Sequence, residues 1–357
     1  MDTLKILPRQ NMRKGCLASE AGIFYDGGWF CCKNDSGASM IHCALCFHDS
    51  GGMYKAVYCA LRSLFTNASD TVHVHALIDE SALPGRPYLE TLCRETGNLI
   101  TFYDNIAVPR DIVELFPGGK VGNYTEASLY RMCLHEQLPV SLDKVVYFDF
   151  DVIFERDIAE LWNMNPGTAW MIAAHDPERV WSERKKSYYL KALDIEESRY
   201  FNSGVLLMNL KALRNASQNG NVFWQEYRRK KEMFSRLKFP VFDQDLLNHM
   251  LSRDHEKLLL TDSSFNYELC LFDRRFMRLD ELKGKILHFP SLKPWQKFFP
   301  AQLAYWKYFV QSPWQDETFS LIEERMFDPK DRIWPLLMWI WKRHESFRWL
   351  ARLRGSR

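Results

Sequence analysis

Two carboxylates two residues apart, Asp149 and Asp151, close an apolar run that begins at Val145. Side chains at i and i+2 of a strand share a face, so the pair would present hard oxygen ligands side by side. Such a pair suits Mn2+ or Mg2+, cations that bridge a nucleotide diphosphate and neutralise charge on the leaving group. An isolated D-x-D is more often a solvated strand-end turn. Here the run before it reads as buried, and carboxylates at a core edge cost free energy unless a partner compensates. A second apolar run, 285–289, contains His288 and is followed by Lys293 in a Pro-containing turn. Neutral imidazole is a good Mn2+ ligand, and a lysine holds phosphate as a point charge. Alone, a structural histidine is the better reading of His288; with the two aspartates it supplies the third ligand of an octahedral site completed by phosphate oxygens.

Two further stretches set amides and carboxylates beside apolar runs. They are Tyr200-Phe201-Asn202-Ser203-Gly204-Val205-Leu206-Leu207 and Phe242-Asp243-Gln244-Asp245-Leu246-Leu247-Asn248. Either can serve only as caps and turns, Asp243 being a reasonable N-cap for a helix over 244–251. Cys43 and Cys46 have half of a zinc-site spacing, but in a strand i and i+3 face opposite ways and no second pair follows, so zinc is not the reading.

The elements that must position these residues follow from periodicity. Strands are expected at 41–47, 71–78, 99–103, 144–150, 170–174, 201–208, 258–260 and 285–289, and helices at 54–65, 125–137, 158–164, 222–237 and 244–251. Over 71–78 the apolar Val72, Val74, Ala76 and Ile78 alternate with the polar His73 and His75, the pattern of a strand. Strands alternating with helices predict an α/β fold, a mostly parallel sheet covered on both faces with ligands at the carboxyl ends of its strands. Residues 1–39 read as an irregular extension, 40–297 as the catalytic domain, and 298–357 as a helical C-terminal region.

The order of D-x-D strand, F-N-S-G-V-L-L strand, D-Q-D helix and H-x-x-x-x-K-P-W loop resembles glycosyltransferase family 8, over about 41–314. The likeness is greatest to bacterial lipopolysaccharide glucosyl- and galactosyltransferases, which also carry a Ser-Pro-Trp like that at 312–314. The resemblance implies a GT-A fold, a UDP-hexose donor, Mn2+ and transfer with retention. It implies that Asp149, Asp151 and His288 hold the metal while Lys293 meets the diphosphate. Arg131 would reach the donor, and Asp49 would lie in the loop contacting uracil and ribose. Asn202, Asp243 and Gln244 would surround the transferred sugar, with the Gln244 carbonyl dipole stabilising an oxocarbenium-like transition state; a weaker alternative makes Asp243 or Asp245 a covalent nucleophile. Two other readings share the fold: a transferase acting on protein or another polysaccharide, and a degenerate sugar-binding or scaffold module.

Composition sets the surroundings. A net charge of +2 over 357 residues gives no reason to expect a nucleic-acid partner. Nine scattered cysteines fit reduced thiols in a cytosol. The N-terminus lacks the apolar segment of a signal peptide, and no apolar run nears the roughly 18 residues of a spanning helix. From Arg332 onward, four tryptophans accompany seven Lys/Arg and one acidic residue. That mixture predicts peripheral contact with the inner face of the cytoplasmic membrane, as suits a lipid-linked glycan acceptor.

Overall fold

Strands buried on both faces need apolar residues at nearly every position, and the runs containing Ile41, Val72, Val145 and Val205 have them. The computed structural model describes residues 24–25, 28–29, 40–49, 51–114, 120–121, 124–175, 190–236, 242–269, 278–290, 293–296, 300–318 and 321. Seven strands form the main sheet: β1 (Ile41–Phe47), β2 (Val72–Ile78), β3 (Leu99–Tyr103), β4 (Lys144–Phe148), β6 (Met171–His175), β7 (Phe201–Asn209) and β8 (Leu258–Thr261). Their spatial order is β8-β6-β7-β4-β1-β2-β3. Only β7 runs against its neighbours, pairing antiparallel with both β4 and β6. The expected mostly parallel α/β sheet is therefore observed.

Alternate residues of one strand feed different cores. Val145 and Tyr147 of β4 point into a cluster with Leu129, Leu206, Leu246 and Trp224. Val146 and Phe148 point into another with Leu45, Leu61 and Val74. Covering helices include α1 (Tyr54–Asn67), α2 (Arg86–Glu95), α3 (Leu210–Ala216), α4 (Val222–Arg229) and α5 (Phe242–Leu251). A third cluster joins Ala56 and Cys59 of α1 to Tyr305, Tyr308 and Phe309 of α6 (Leu303–Phe309). Trp314 of the Ser-Pro-Trp sequence lies among Tyr54, Tyr58 and Tyr88, with ring centroids 5.3, 5.5 and 4.9 Å away.

A second, three-stranded sheet positions the histidine loop. Its order is β9 (Tyr267–Glu268), β10 (Ile286–His288), then β5 (Val152–Phe154), with β10 antiparallel to β5. The pairing of His288 with Val152 brings β10 alongside the residues that follow the D-x-D.

Several expectations change in detail. The strand expected over 144–150 ends at Phe148, and 149–151 form a turn leading into β5. The helix expected over 125–137 is a 3-10 helix, Glu126–Cys133, followed by one α-turn, Leu134–Gln137. The 222–237 helix breaks at Lys230 into Val222–Arg229 and Lys231–Arg236. In β2 both faces are buried, so His73 and His75 lie inside the protein. The α5 helix begins at Phe242, which makes Asp243 a first-turn residue and not the cap.

Met1–Ala38 and Ser39–Arg357 are separate compact units. In the first, Phe24–Tyr25 pairs antiparallel with Gly28–Trp29. Most of the expected extension, and the basic Trp-rich segment from Arg332, lie outside the described residues.

Candidate active site

The carboxyl ends of β1 and β4 lie side by side, and because β7 is reversed its amino end meets them. The Asp149 amide donates to the Gly204 carbonyl at 2.8 Å, which ties the D-x-D turn to the start of β7. The Phe289 amide donates to the Asp151 carbonyl at 3.0 Å, which ties the same turn to the end of β10.

Asp149 uses its two oxygens differently. Oδ1 accepts from the Tyr147 hydroxyl at 2.5 Å and from Arg131 Nη2 at 2.8 Å. Oδ2 faces His288 Nε2 at 3.9 Å, and Asp151 Oδ1 lies 3.4 Å from that same nitrogen. One ligand atom from each of Asp149, Asp151 and His288 falls within 4.8 Å of the others. The same-face arrangement expected of a strand is thus produced by a turn.

The buried His288 ring needs the glycine before it: a Cβ on Gly204 would sit 2.3 Å from Cε1 and 2.6 Å from Nδ1. Burial opposes charge on His288, but Asp151 and Asp149 outweigh it and raise its pKa. Burial would likewise raise Asp151, yet Lys293 and His288 hold its carboxyl well below the usual range. The set suits a divalent cation, with hard carboxylate oxygens, one imidazole nitrogen, and converging geometry. Lys293 Nζ contacts Asp151 Oδ2 directly, so the ammonium that was expected on the diphosphate is beside the second carboxylate of the D-x-D.

Arg131 ties the D-x-D turn to β7 and α5. Besides Asp149 it reaches Asp243 Oδ2 with Nε at 3.2 Å and donates from Nη1 to the Ser203 carbonyl at 2.9 Å. Its guanidinium carbon lies 4.4 Å from the centroid of the Tyr147 ring. Burial disfavours its charge, but Asp149 and Asp243 more than compensate. Asp243 is itself raised, first by burial and then by Asp149, with Arg131 opposing.

The remaining expected residues sit around β7. Asn202 Oδ1 accepts from the Gly204 amide at 2.8 Å and from Asn266 Nδ2 at 2.9 Å. Gln244 Oε1 accepts from the Ser203 amide at 3.0 Å, while its Nε2 donates to the Tyr200 hydroxyl at 2.6 Å. One lone pair of the Gln244 carbonyl is therefore spent on the backbone. Asn248, one helical turn later, clamps Phe201 by bonds to both its amide and its carbonyl, at 2.9 and 2.8 Å. Asp49, at the end of β1, turns its carboxylate onto the amides of Gly52 and Met53 at 2.8 and 2.5 Å. Gly51 and Gly52 there have φ of 93° and 92°, which explains the glycine pair.

Sequence reasoning missed Tyr147, Ser203, Gly204 and Asn266. Tyr147 had a usable signal, since it precedes Asp149 by two and stands out as a hydroxyl in an apolar strand. Asn266 had none.

A family model described as glycosyl transferase family 8 matches residues 53–298. The chain belongs to glycosyl transferase family 8. The matched segment includes every expected site residue except Asp49. The transferase is 24% identical over 258 residues to the lipopolysaccharide glucosyltransferase WaaO of Escherichia coli, covering 70% of this chain and 72% of that one. It is 24% identical over 267 residues to the lipopolysaccharide 1,3-galactosyltransferase of Salmonella typhimurium, with the same coverage of 70% and 72%. Among solved structures it is similar to the galactosyltransferase LgtC in complex with donor and acceptor sugar analogs, at a TM-score of 0.60 and 22% identity, covering 78% of this chain and 100% of that one. The fold of this family 8 transferase is GT-A, and its reaction is sugar transfer.

Proposed function

We propose that this family 8 transferase moves glucose or galactose from a UDP-sugar to a lipopolysaccharide core or outer sugar, with a divalent cation and with retention of anomeric configuration. The observation that carries the proposal is the convergence of Asp149 Oδ2, Asp151 and His288 Nε2 beside a buried arginine and a lysine. Asp149, Asp151 and His288 would hold the cation, Mn2+ or Mg2+. When bound, it supplies positive charge against the diphosphate of the departing UDP.

The chain's own residues do the rest. Arg131 fixes Asp149 so that Oδ2 faces the cation position. With a cation held by Asp149, Asp151 and His288, Lys293 beside Asp151 would offer its ammonium to the diphosphate. Asn202, Asp243 and Gln244 border the transferred hexose, and the Gln244 carbonyl, held by the Ser203 amide and hydroxyl, sets its dipole against positive charge developing on that ring. The acceptor hydroxyl attacks on the face that UDP leaves, which preserves configuration without a covalent intermediate. The Trp-rich basic segment from Arg332 docks the enzyme on the inner face of the cytoplasmic membrane, where a lipid-linked acceptor resides. The names of the Escherichia coli and Salmonella relatives support the acceptor class.

The test is UDP release from a panel of UDP-sugars, with Mn2+, with EDTA and with Asp151→Asn, in the presence of a core glycan. Release from UDP-glucose or UDP-galactose that needs both the metal and Asp151, with a retained linkage in the product, supports the reading. Turnover that survives EDTA and Asp151→Asn overturns it.

A further inference from the structure

The structure holds a second cluster of ligand-type side chains, remote in the fold from the D-x-D turn. His42 of β1 and His73 and His75 of β2 share one face of the sheet, with His42 opposite His73 and Ala44 opposite His75. They lie toward the amino-terminal ends of strands whose carboxyl ends carry the active site. One ring nitrogen from each lies within 4.8 Å of the other two.

We propose that His42, His73 and His75 form a second metal site, selective for a borderline transition-metal dication such as Zn2+. Three observations carry this beyond a buried hydrogen-bonded ladder. First, His42 Nδ1 and His75 Nε2 are 3.0 Å apart, near the roughly 3.3 Å separating two nitrogens bound at about 2.0–2.1 Å in a tetrahedral site. Second, the outer nitrogens are already oriented. Tyr103 OH lies 2.9 Å from His75 Nδ1, and Thr101 Oγ1 lies 2.8 Å from His73 Nε2. These leave His75 Nε2 and His73 Nδ1 for the ion, which is how hydroxyl or carbonyl partners fix metal-binding imidazoles. Third, His42 is the one ring of the three that is only half-buried, so solvent can fill the fourth position.

An all-imidazole set differs in kind from the oxygen-rich D-x-D site, and its preference follows: imidazole suits Zn2+, Cu2+ and Ni2+, whereas carboxylates suit Mg2+ and Mn2+. The ion would tie β1 to β2 and, through Thr101 and Tyr103, to β3. It would stabilise the sheet without entering the transfer reaction.

The test is titration of the full-length, chelator-treated protein with Co2+, which reports tetrahedral nitrogen coordination by intense visible absorption and octahedral oxygen coordination by weak absorption. The expected result is one equivalent of intense absorption, retained in Asp151→Asn, displaced by Zn2+ but not Mg2+, and lost in His42→Gln and His73→Gln. His42 is half-buried, so His42→Gln keeps the test informative should the His73 variant fail to fold, as judged by circular dichroism. Intense absorption that disappears in Asp151→Asn, that persists in folded His42→Gln, or that is missing from the wild type, overturns the proposal.

Discussion

Arg131 Nη2 and Asp149 Oδ1, 2.8 Å apart, decide which oxygen of the first D-x-D carboxylate is left to face His288. The bond is buried on the arginine side and reinforced by the Tyr147 hydroxyl on the same oxygen. Arg131 also bridges to Asp243, so one side chain holds the Asp149 and Asp243 carboxylates together.

Arg131→Lys keeps a charge but cannot span both carboxylates. UDP release should fall about 10–100-fold, in line with losses when supporting contacts of a site are removed. Arg131→Met leaves Asp149 and Asp243 without their buried partner and should lower unfolding free energy by about 3–5 kcal/mol, read by denaturant titration. A lysine variant with wild-type kcat/KM would refute the bridging role.

Tyr147→Phe removes the 2.5 Å bond to Asp149 and leaves the ring against Arg131 in place. The metal concentration giving half-maximal UDP release should rise about 10–100-fold, while the thermal midpoint barely moves. An unchanged metal dependence means that Arg131 alone orients Asp149.

Gly204→Ala places a methyl 2.3 Å from His288 Cε1, so the ring must shift. The expected outcome is about 1–3 kcal/mol of destabilisation together with weakened metal dependence of turnover. Turnover with normal metal dependence would show that His288 is dispensable.

Acid should destabilise the enzyme already between pH 7.5 and 5. His75 is held down to about 2 by burial and then by its histidine neighbours, and His135 to about 4 by burial and then by Arg214. Both bind protons more weakly folded than unfolded, so their contribution is present above about 6.5, the unfolded value, and is lost as pH falls below it. At pH 5 each should have cost about 2 kcal/mol relative to pH 7.5, at about 1.4 kcal/mol per unit. Equal denaturation midpoints at pH 7.5 and 5 count against neutral buried imidazoles.

The parallel architecture was legible because buried strands such as β1, β4 and β7 are apolar at almost every position, a pattern no surface helix tolerates. The convergence of Asp149, Asp151 and His288 was legible residue by residue, since a carboxylate pair or a histidine at the end of an apolar run is costly without a purpose. What escaped was orientation. The turn at 149–151, the Lys293–Asp151 contact and the engagement of Gln244 by the Ser203 amide all depend on segments remote in sequence. The burial of His73 and His75 escaped for a similar reason: alternation tells two faces apart but not whether the second is covered. Trp314 reads as a motif in sequence; in the fold it packs against three tyrosines of α1 and α2.

The register of β10 against β5 also bears on how the enzyme comes into being. During synthesis Asp149 and Asp151 leave the ribosome together, whereas His288 follows only after more than a third of the chain's length. Until β10 docks beside β5, the chain has two carboxylates and no imidazole to complete them. Closing so long a loop costs entropy that only the finished pairing repays, and contacts of this span are slow to form. The Asp149–Asp151–His288 cluster is therefore completed late in folding, and a prematurely terminated chain would hold its two carboxylates without the imidazole.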